Sequence, residues 1–343
     1  MLYFMKTNQL WAGILLATAI FSANAQTTIQ TSGVTSFGVS AGTVGTNNTY
    51  YGVRAGNVSA AGTGGNVFIG HDAGRVNTFA ATANYNTFLG LATGYNNTKG
   101  GFNTFLGGYS GNDNIEGSYN TFLGYRSGFK NTGSSNVYLG FYAGYNSILT
   151  SNNTFVGNYA GFSNTGSQNV FLGANAGYNC TESNRLFIDN GPTSTPLIWG
   201  DFTNDILKLN GKVGIGLGTT AFPATAGGLD VSAYKLIVNG GILATQVRVA
   251  TTWADYVFAN NYALPKLSEV DSYIKQNGHL PNMPSAKTVE AQGIEVGEMA
   301  KMQQEKIEEL TLYAIQQQKQ IEKQQQELDE LKAMVKQLAA SKQ

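Results

Sequence analysis

The pentapeptide NTFLG stands at Asn86–Gly90, again at Asn103–Gly107 and again at Asn120–Gly124, at intervals of 17 residues. Relaxed copies begin at Asn48 (NTYYG), Asn66 (NVFIG), Asn136 (NVYLG), Asn153 (NTFVG) and Asn169 (NVFLG), with a degenerate one at Val34 (VTSFG). In each full copy a second glycine follows the first by four residues, as Gly111 follows Gly107, so the unit reads N-[TV]-[FY]-x-G-x-x-[AST]-G. Nine units at spacings of 14 to 20 residues define a solenoid, in which one coil cannot bury its own apolar face and must stack on its neighbours. Two glycines per unit would cost a helix about 1 kcal/mol each, whereas aromatic and β-branched residues suit strands. The coils are therefore expected to be β. Each should hold a short strand at N-T-F-L, a corner at the first glycine and a second segment closed at the A-G turn. Polar loops such as 131–134 and 164–167 absorb the differences in length. At about 4.8 Å per coil, the nine would build a rod about 40 Å long.

Alternation along the strand sorts the side chains further. The third position (Phe68, Phe88, Phe105, Phe122, Tyr138, Phe155, Phe171) points to one face. The second (Val67, Thr87, Thr104, Thr121, Val137, Thr154, Val170) and the fourth (Ile69, Leu89, Leu106, Leu123, Leu139, Val156, Leu172) point to the other. A thin coil has one interior, which the aromatic ladder fills. The second apolar stripe is then buried against another chain, or else the coil widens at its glycines to enclose both stripes. The asparagine at the first position is expected to form an amide ladder that satisfies corner backbone groups, a structural role.

The ends of the chain are different in kind. Residues 1–25 carry one charge at Lys6, an apolar run from Trp11 to Phe21, and Ala23-Asn24-Ala25 before Gln26, the pattern of a cleaved secretory signal peptide. The run is about half of what a membrane span needs, so no membrane insertion is expected after cleavage. The single cysteine, Cys180, has no partner for an intrachain disulfide and is expected to act as a small buried apolar group. With 21 Lys+Arg against 21 Asp+Glu, no basic excess draws the chain to nucleic acid or an anionic membrane. Charge concentrates after Thr251, and glycine and proline are absent after Gly297. There the apolar residues fall on a heptad, with Ile307, Ala314, Ile321, Leu328 and Val335 at one seam position and Leu310, Gln317, Gln324, Leu331 and Leu338 at the other. Two glutamines weaken such a seam while fixing register and chain number. A parallel coiled coil over 298–343 is expected, and three chains suit a repeated β-roll better than two.

Between rod and helix lie two connectors. Residues 184–250 read as short strands around Asn-Gly and Gly-Gly turns, in LFIDNG, LIWGD, LKLNGKVGIG and KLIVNGGILATQVRV. Residues 251–297 read as two short helices, one capped by Ser268 and ending at Asn277-Gly278, the other capped by Ser285 and ending at Gly293. The repeats thus occupy 26–183.

The run VGIGLGTT, then LIVNGGILATQVRV, then WADYVFANNYALPKLSEVDSYIKQNGHLPNMPSAKTVEAQGIEVGEMAKMQQEKIEELTLY resembles the C-terminal region of secreted tail-fibre-domain-like proteins of the Bacteroidetes. More loosely, the repeats resemble the β-roll heads of trimeric autotransporter adhesins. The resemblance implies an elongated homotrimeric fibre, secreted or on the surface of a Gram-negative cell, whose C-terminal part drives assembly. The chain ends in LAASKQ without amphipathic barrel strands, a departure from autotransporters that puts self-anchoring in doubt.

Catalysis is not expected. Some phage tail fibres cleave themselves with serine chemistry near a C-terminal chaperone, but the corresponding Ser-Asp stretch is missing before Trp253, where the chain reads VRVATTWADYVF. His71 and His279 lack a nucleophile-and-carboxylate pattern, and Asp113 and Glu116 in GNDNIEGS lack the alternating oxygens of a calcium loop. No cofactor or metal is expected. The leading expectation is an adhesin-like fibre that binds glycans or proteins multivalently through loops of the rod. The alternative is a phage-derived, tail-fibre-like receptor-binding protein with an intramolecular chaperone end. An ice- or mineral-binding solenoid would use a threonine ladder, which Val67, Val137 and Val170 interrupt.

Overall fold

The structure, a computed structural model, describes residues 27–29, 33–59, 62–76, 83–226 and 228–341. The signal peptide expected over 1–25 lies outside them. The chain divides into two compact units at Gly211/Lys212.

The first unit is a parallel β-solenoid of about nine turns. Its strands are β1 (Thr27–Ile29), β2 (Thr35–Phe37), β3 (Thr49–Tyr51), β4 (Val67–Ile69), β5 (Thr87–Leu89), β6 (Thr104–Leu106), β7 (Thr121–Leu123), β8 (Val137–Leu139), β9 (Thr154–Val156), β10 (Val170–Leu172), β11 (Arg185–Ile188), β12 (Ile198–Asp201) and β13 (Ile206–Leu209). They form one sheet in sequence order. From β2 to β11 every pairing is parallel and places equivalent residues side by side, as Phe105 beside Phe122. Antiparallel partners close both ends: β1 on β2, and β12 and β13 beyond β11. The parallel stacking thus runs one strand past the last NTFLG-like unit.

From β2 to β10 the central residue of each strand is buried and its neighbours are exposed or half-exposed. The coil is therefore thin, and the wider coil that would enclose both stripes does not form. Tyr50, Phe68, Phe88, Phe105, Phe122, Tyr138, Phe155 and Phe171 are each at most 1% exposed. Successive rings from Phe68 to Phe171 stack at 4.7–4.8 Å, the separation of neighbouring strands.

The second half of the unit explains its spelling. Gly111 has φ +56°, and a Cβ there would stand 2.4 Å from the Phe105 ring. Gly107 has φ +125°, and its Cβ would meet the Gly124 carbonyl oxygen of the next coil at 2.6 Å. Glycine is thus demanded by a positive φ at both corners, with the ring of its own coil crowding Gly111 and the backbone of the next coil crowding Gly107. The asparagine ladder forms as an inter-coil clamp. The side-chain oxygen of Asn103 accepts from the backbone N–H of Asn120 at 2.9 Å, and its amide donates to the Gly117 carbonyl at 2.8 Å. The same pair of bonds recurs from Asn48 onward and ends where the Arg185 N–H donates to Asn169. Each asparagine of this ladder thus holds the backbone of the adjoining coil.

The second unit holds short strands and helices. β14 (Val213–Ile215) pairs in parallel with β17 (Leu236–Val238), and β15 (Thr225–Ala226) with β16 (Leu229–Asp230) as a small hairpin. A 3-10 helix covers Asp255–Phe258, followed by α1 (Leu267–Asn277), α2 (Ala286–Gln292) and the long α3 (Val296–Ala340). Ser285 caps α2 as expected, accepting from the Thr288 N–H. Ser268 does not cap α1: the helix starts at Leu267 with Lys266 at the cap, two residues earlier than expected, and Glu269 accepts from the Lys266 N–H at 3.1 Å. A carboxylate in the first turn satisfies an end donor as well as a hydroxyl at the cap would. The strand expected from ILATQVRV does not form, and residues 241–250 run exposed without regular structure.

Candidate interaction surfaces

Three surfaces stand out. The first is the outer face of the solenoid strands. The fourth-position residues Tyr51, Leu89, Leu106 and Leu123 are 39–56% exposed. Beside them runs a column just after the corner glycine, in which Val53, Leu91, Tyr125 and Phe141 are also exposed. This second column widens the apolar stripe and was readable at a fixed offset from the glycine.

The second surface belongs to the second unit. Residues 241–250 leave Ile242, Leu243 and Val247 open, Leu243 completely. On α3 the seam residues Ile307, Leu310, Ile321, Leu328, Leu331, Val335 and Leu338 are large and exposed. Ala314, Gln317 and Gln324 are exposed between them. All ten lie on one helix at heptad spacing. Ile307 and Leu310 also line an apolar groove with Leu267, Val270, Leu280 and Pro281.

The first turns of α3 carry a polar cluster that the sequence did not reveal, because its members stand 47–49 residues apart. Tyr256 donates to Glu305, and Tyr262 Oη donates to Glu309 at 2.5 Å. Lys306 sits between the two carboxylates, at 3.1 Å from Glu305 and 2.9 Å from Glu309. The hydrogen bond to Glu305, with desolvation and the neighbouring carboxylates, pushes the Tyr256 phenol up to about 12. Burial and then the bond to Glu309 raise that of Tyr262. Glu305 is held below the usual carboxylate range: burial opposes this, but the Tyr256 hydroxyl and Lys306 outweigh it. Beneath the cluster Ala254 and Val257 are buried, and Val249 and Thr251 close on Gly297. The cluster docks the segment after residue 248 onto the helix.

The third surface lies on the coil segment after the corner. There Tyr109, Tyr142 and Tyr159 form one column, and Phe129, Tyr145, Phe162 and Tyr178 another. Their period was visible in the sequence, two and five residues after each corner glycine.

The residues weighed for chemistry sit apart from one another. His71 Nδ1 lies 2.8 Å from Asp72, which also binds Arg54 through two 2.7 Å hydrogen bonds. Burial works against ionisation of Asp72, yet Arg54, His71 and Arg75 hold its carboxyl below the usual range. This is an inter-coil ion cluster without a serine or cysteine nucleophile in contact. Asp113 accepts from Asn96 at 2.8 Å and Glu116 pairs with Lys99, each bridging coils. No group of three or more His, Cys, Asp or Glu that could hold a metal occurs among the described residues. Cys180 is half-buried against the end of the core with Trp199, and burial pushes its thiol up. Among the described residues no helix is long and apolar enough to cross a membrane.

No protein-family model, no curated protein and no solved structure matches this chain.

Proposed function

We propose that the chain is a non-enzymatic subunit of a surface fibre, exported by its leader and assembled as a homotrimer, which binds glycans or proteins multivalently. The observation that carries this is apolar surface left open in the single chain at three places: the strand face of the solenoid, residues 241–250 and the α3 seam. Monomeric proteins rarely leave patches of this extent in water. Assembly through the seam sets like chains side by side, and avidity from three copies compensates for weak single contacts. Light scattering on residues 26–343 and on a chain ended at Gly297 tests the assembly. The expected result is a trimer mass for the first and a smaller species for the second. A monomeric full chain would overturn the proposal.

A further inference from the structure

Arg126 is the arginine of the described solenoid that has no carboxylate. Arg54, Arg75, Lys99 and Arg185 each pair with one. Arg126 and Lys130, four residues on in the same coil, have no acidic partner within 4.0 Å. Instead the guanidinium lies 5.3–5.6 Å from the ring centroids of Tyr109, Tyr125, Phe129 and Tyr142. Its one hydrogen bond runs from Nη1 to the Tyr142 hydroxyl at 2.9 Å, and its Nε is buried with no partner. Lys130 lies over Tyr145. A partly desolvated guanidinium with unused donors is a receptor for a planar oxyanion.

The left-handed turn that carries Arg126 recurs in every coil, with φ between 49° and 59° from Ser40 and Arg54 through Ala92 to Asn175, so the coil itself sets Tyr109, Arg126, Tyr142 and Tyr159 in one column. The segment that carries Arg126 packs across the core rings from the strands, with Gly128 against Phe122 and Gly144 against Tyr138, so Tyr125 alone of the surrounding rings belongs to the stripe beside the strand face.

We propose that this cation-bearing aromatic wall binds a carboxylate-bearing polysaccharide laid along the rod. Arg126 and Lys130 hold a sugar carboxylate, and the aromatic columns, stacked at 4.9–5.4 Å over successive coils, pack against the apolar edges of the pyranose rings. A repeating ligand suits a repeating wall, and tyrosine offers an apolar body with a polar tip to a ligand of the same mixed character. Nucleic acid suits the wall poorly, because a chain with no net charge that presents two cations here cannot neutralise a phosphate backbone. The site rests on the surface-binding role proposed above.

The test measures binding of residues 26–343 to immobilised polygalacturonate, hyaluronate and polysialate, with dextran and polyglutamate as controls and binding to whole cells in parallel. The expected result is salt-sensitive binding to at least one acidic polysaccharide and none to dextran. Arg126→Gln should bind about tenfold more weakly. Lys130→Gln, an exposed side chain whose loss leaves the packing intact, gives a smaller loss in the same direction and covers the case in which Arg126→Gln does not fold. Circular dichroism and mass in solution should match the parent. The site is overturned if no acidic polysaccharide binds, if polyglutamate binds better, or if folded variants bind as the parent does. Should the parent still bind cells in those cases, the fibre role stands and the contact lies elsewhere; should it bind no cells either, that role falls too.

Discussion

At the scale of single residues, the asparagine clamp is where one coil is fixed to the next. Asn103→Ala removes the acceptor of the buried Asn120 N–H, while the Gly117 carbonyl keeps a second donor in Asn114 at 2.8 Å. One buried donor is orphaned, so unfolding by urea should show a loss of about 1–3 kcal/mol. Asn103→Asp keeps the acceptor but buries a charge against a carbonyl, and should be no more stable than the alanine variant. An alanine variant as stable as the parent would show that water or relaxation replaces the clamp. The sequence disclosed that this asparagine was structural, since it recurs with the strand. It did not disclose the direction of its bonds, because a pentapeptide carries no information on which neighbour it holds.

At the scale of elements, the Tyr256–Glu305 and Tyr262–Glu309 contacts make the docking of the 3-10 helix on α3 depend on pH at both extremes. Glu305 is depressed in the folded chain, so its contribution is complete above the ordinary carboxylate value and is lost as pH falls through the folded one. Tyr256 is raised from 10 to about 12, so its contribution is complete below 10 and lost between those values. Amide protection factors over residues 254–262, the ratio of intrinsic to observed exchange at each pH, should therefore be greatest at mid-range pH and fall toward both ends. In Tyr256→Phe the alkaline limb should weaken. An unchanged profile would place the docking in Ala254 and Val257 alone. None of this was legible beforehand, since the partners meet only through the fold. By contrast, the solenoid strands and α3 were legible because their periods are written many times over. The antiparallel closing strands were visible as strands but not in their direction, as alternation over four residues reads the same either way. The start of α1 differs from the expected one because Glu269, three residues after Lys266, accepts from the Lys266 N–H and closes the helix end without a cap hydroxyl.

At the scale of the whole molecule, the open strand face separates folding from assembly. Leu106 and Leu123 point outward, so Leu106→Asp with Leu123→Asp should leave the coils intact within about 1 kcal/mol. The same pair should lower the mass in solution if the face is covered by another copy, because two buried carboxylates per chain would stand unpaired at the contact. A native mass with native circular dichroism would free the strand face from the assembly and leave α3 to carry it.

The antiparallel closures at β1 and at β12–β13 have one more consequence. A parallel stack with bare ends would offer the register of one more coil to any like unit, and at both ends an antiparallel strand takes that place. Between them every junction is alike, so the number of rungs is a free variable. Duplication of a unit such as Asn103–Tyr119 would lengthen the rod by one ring separation, 4.7 Å at this point, and leave both terminations untouched. The molecule is in this sense a ruler, whose reach is set by counting repeats and can drift by whole steps without redesign of anything at its ends.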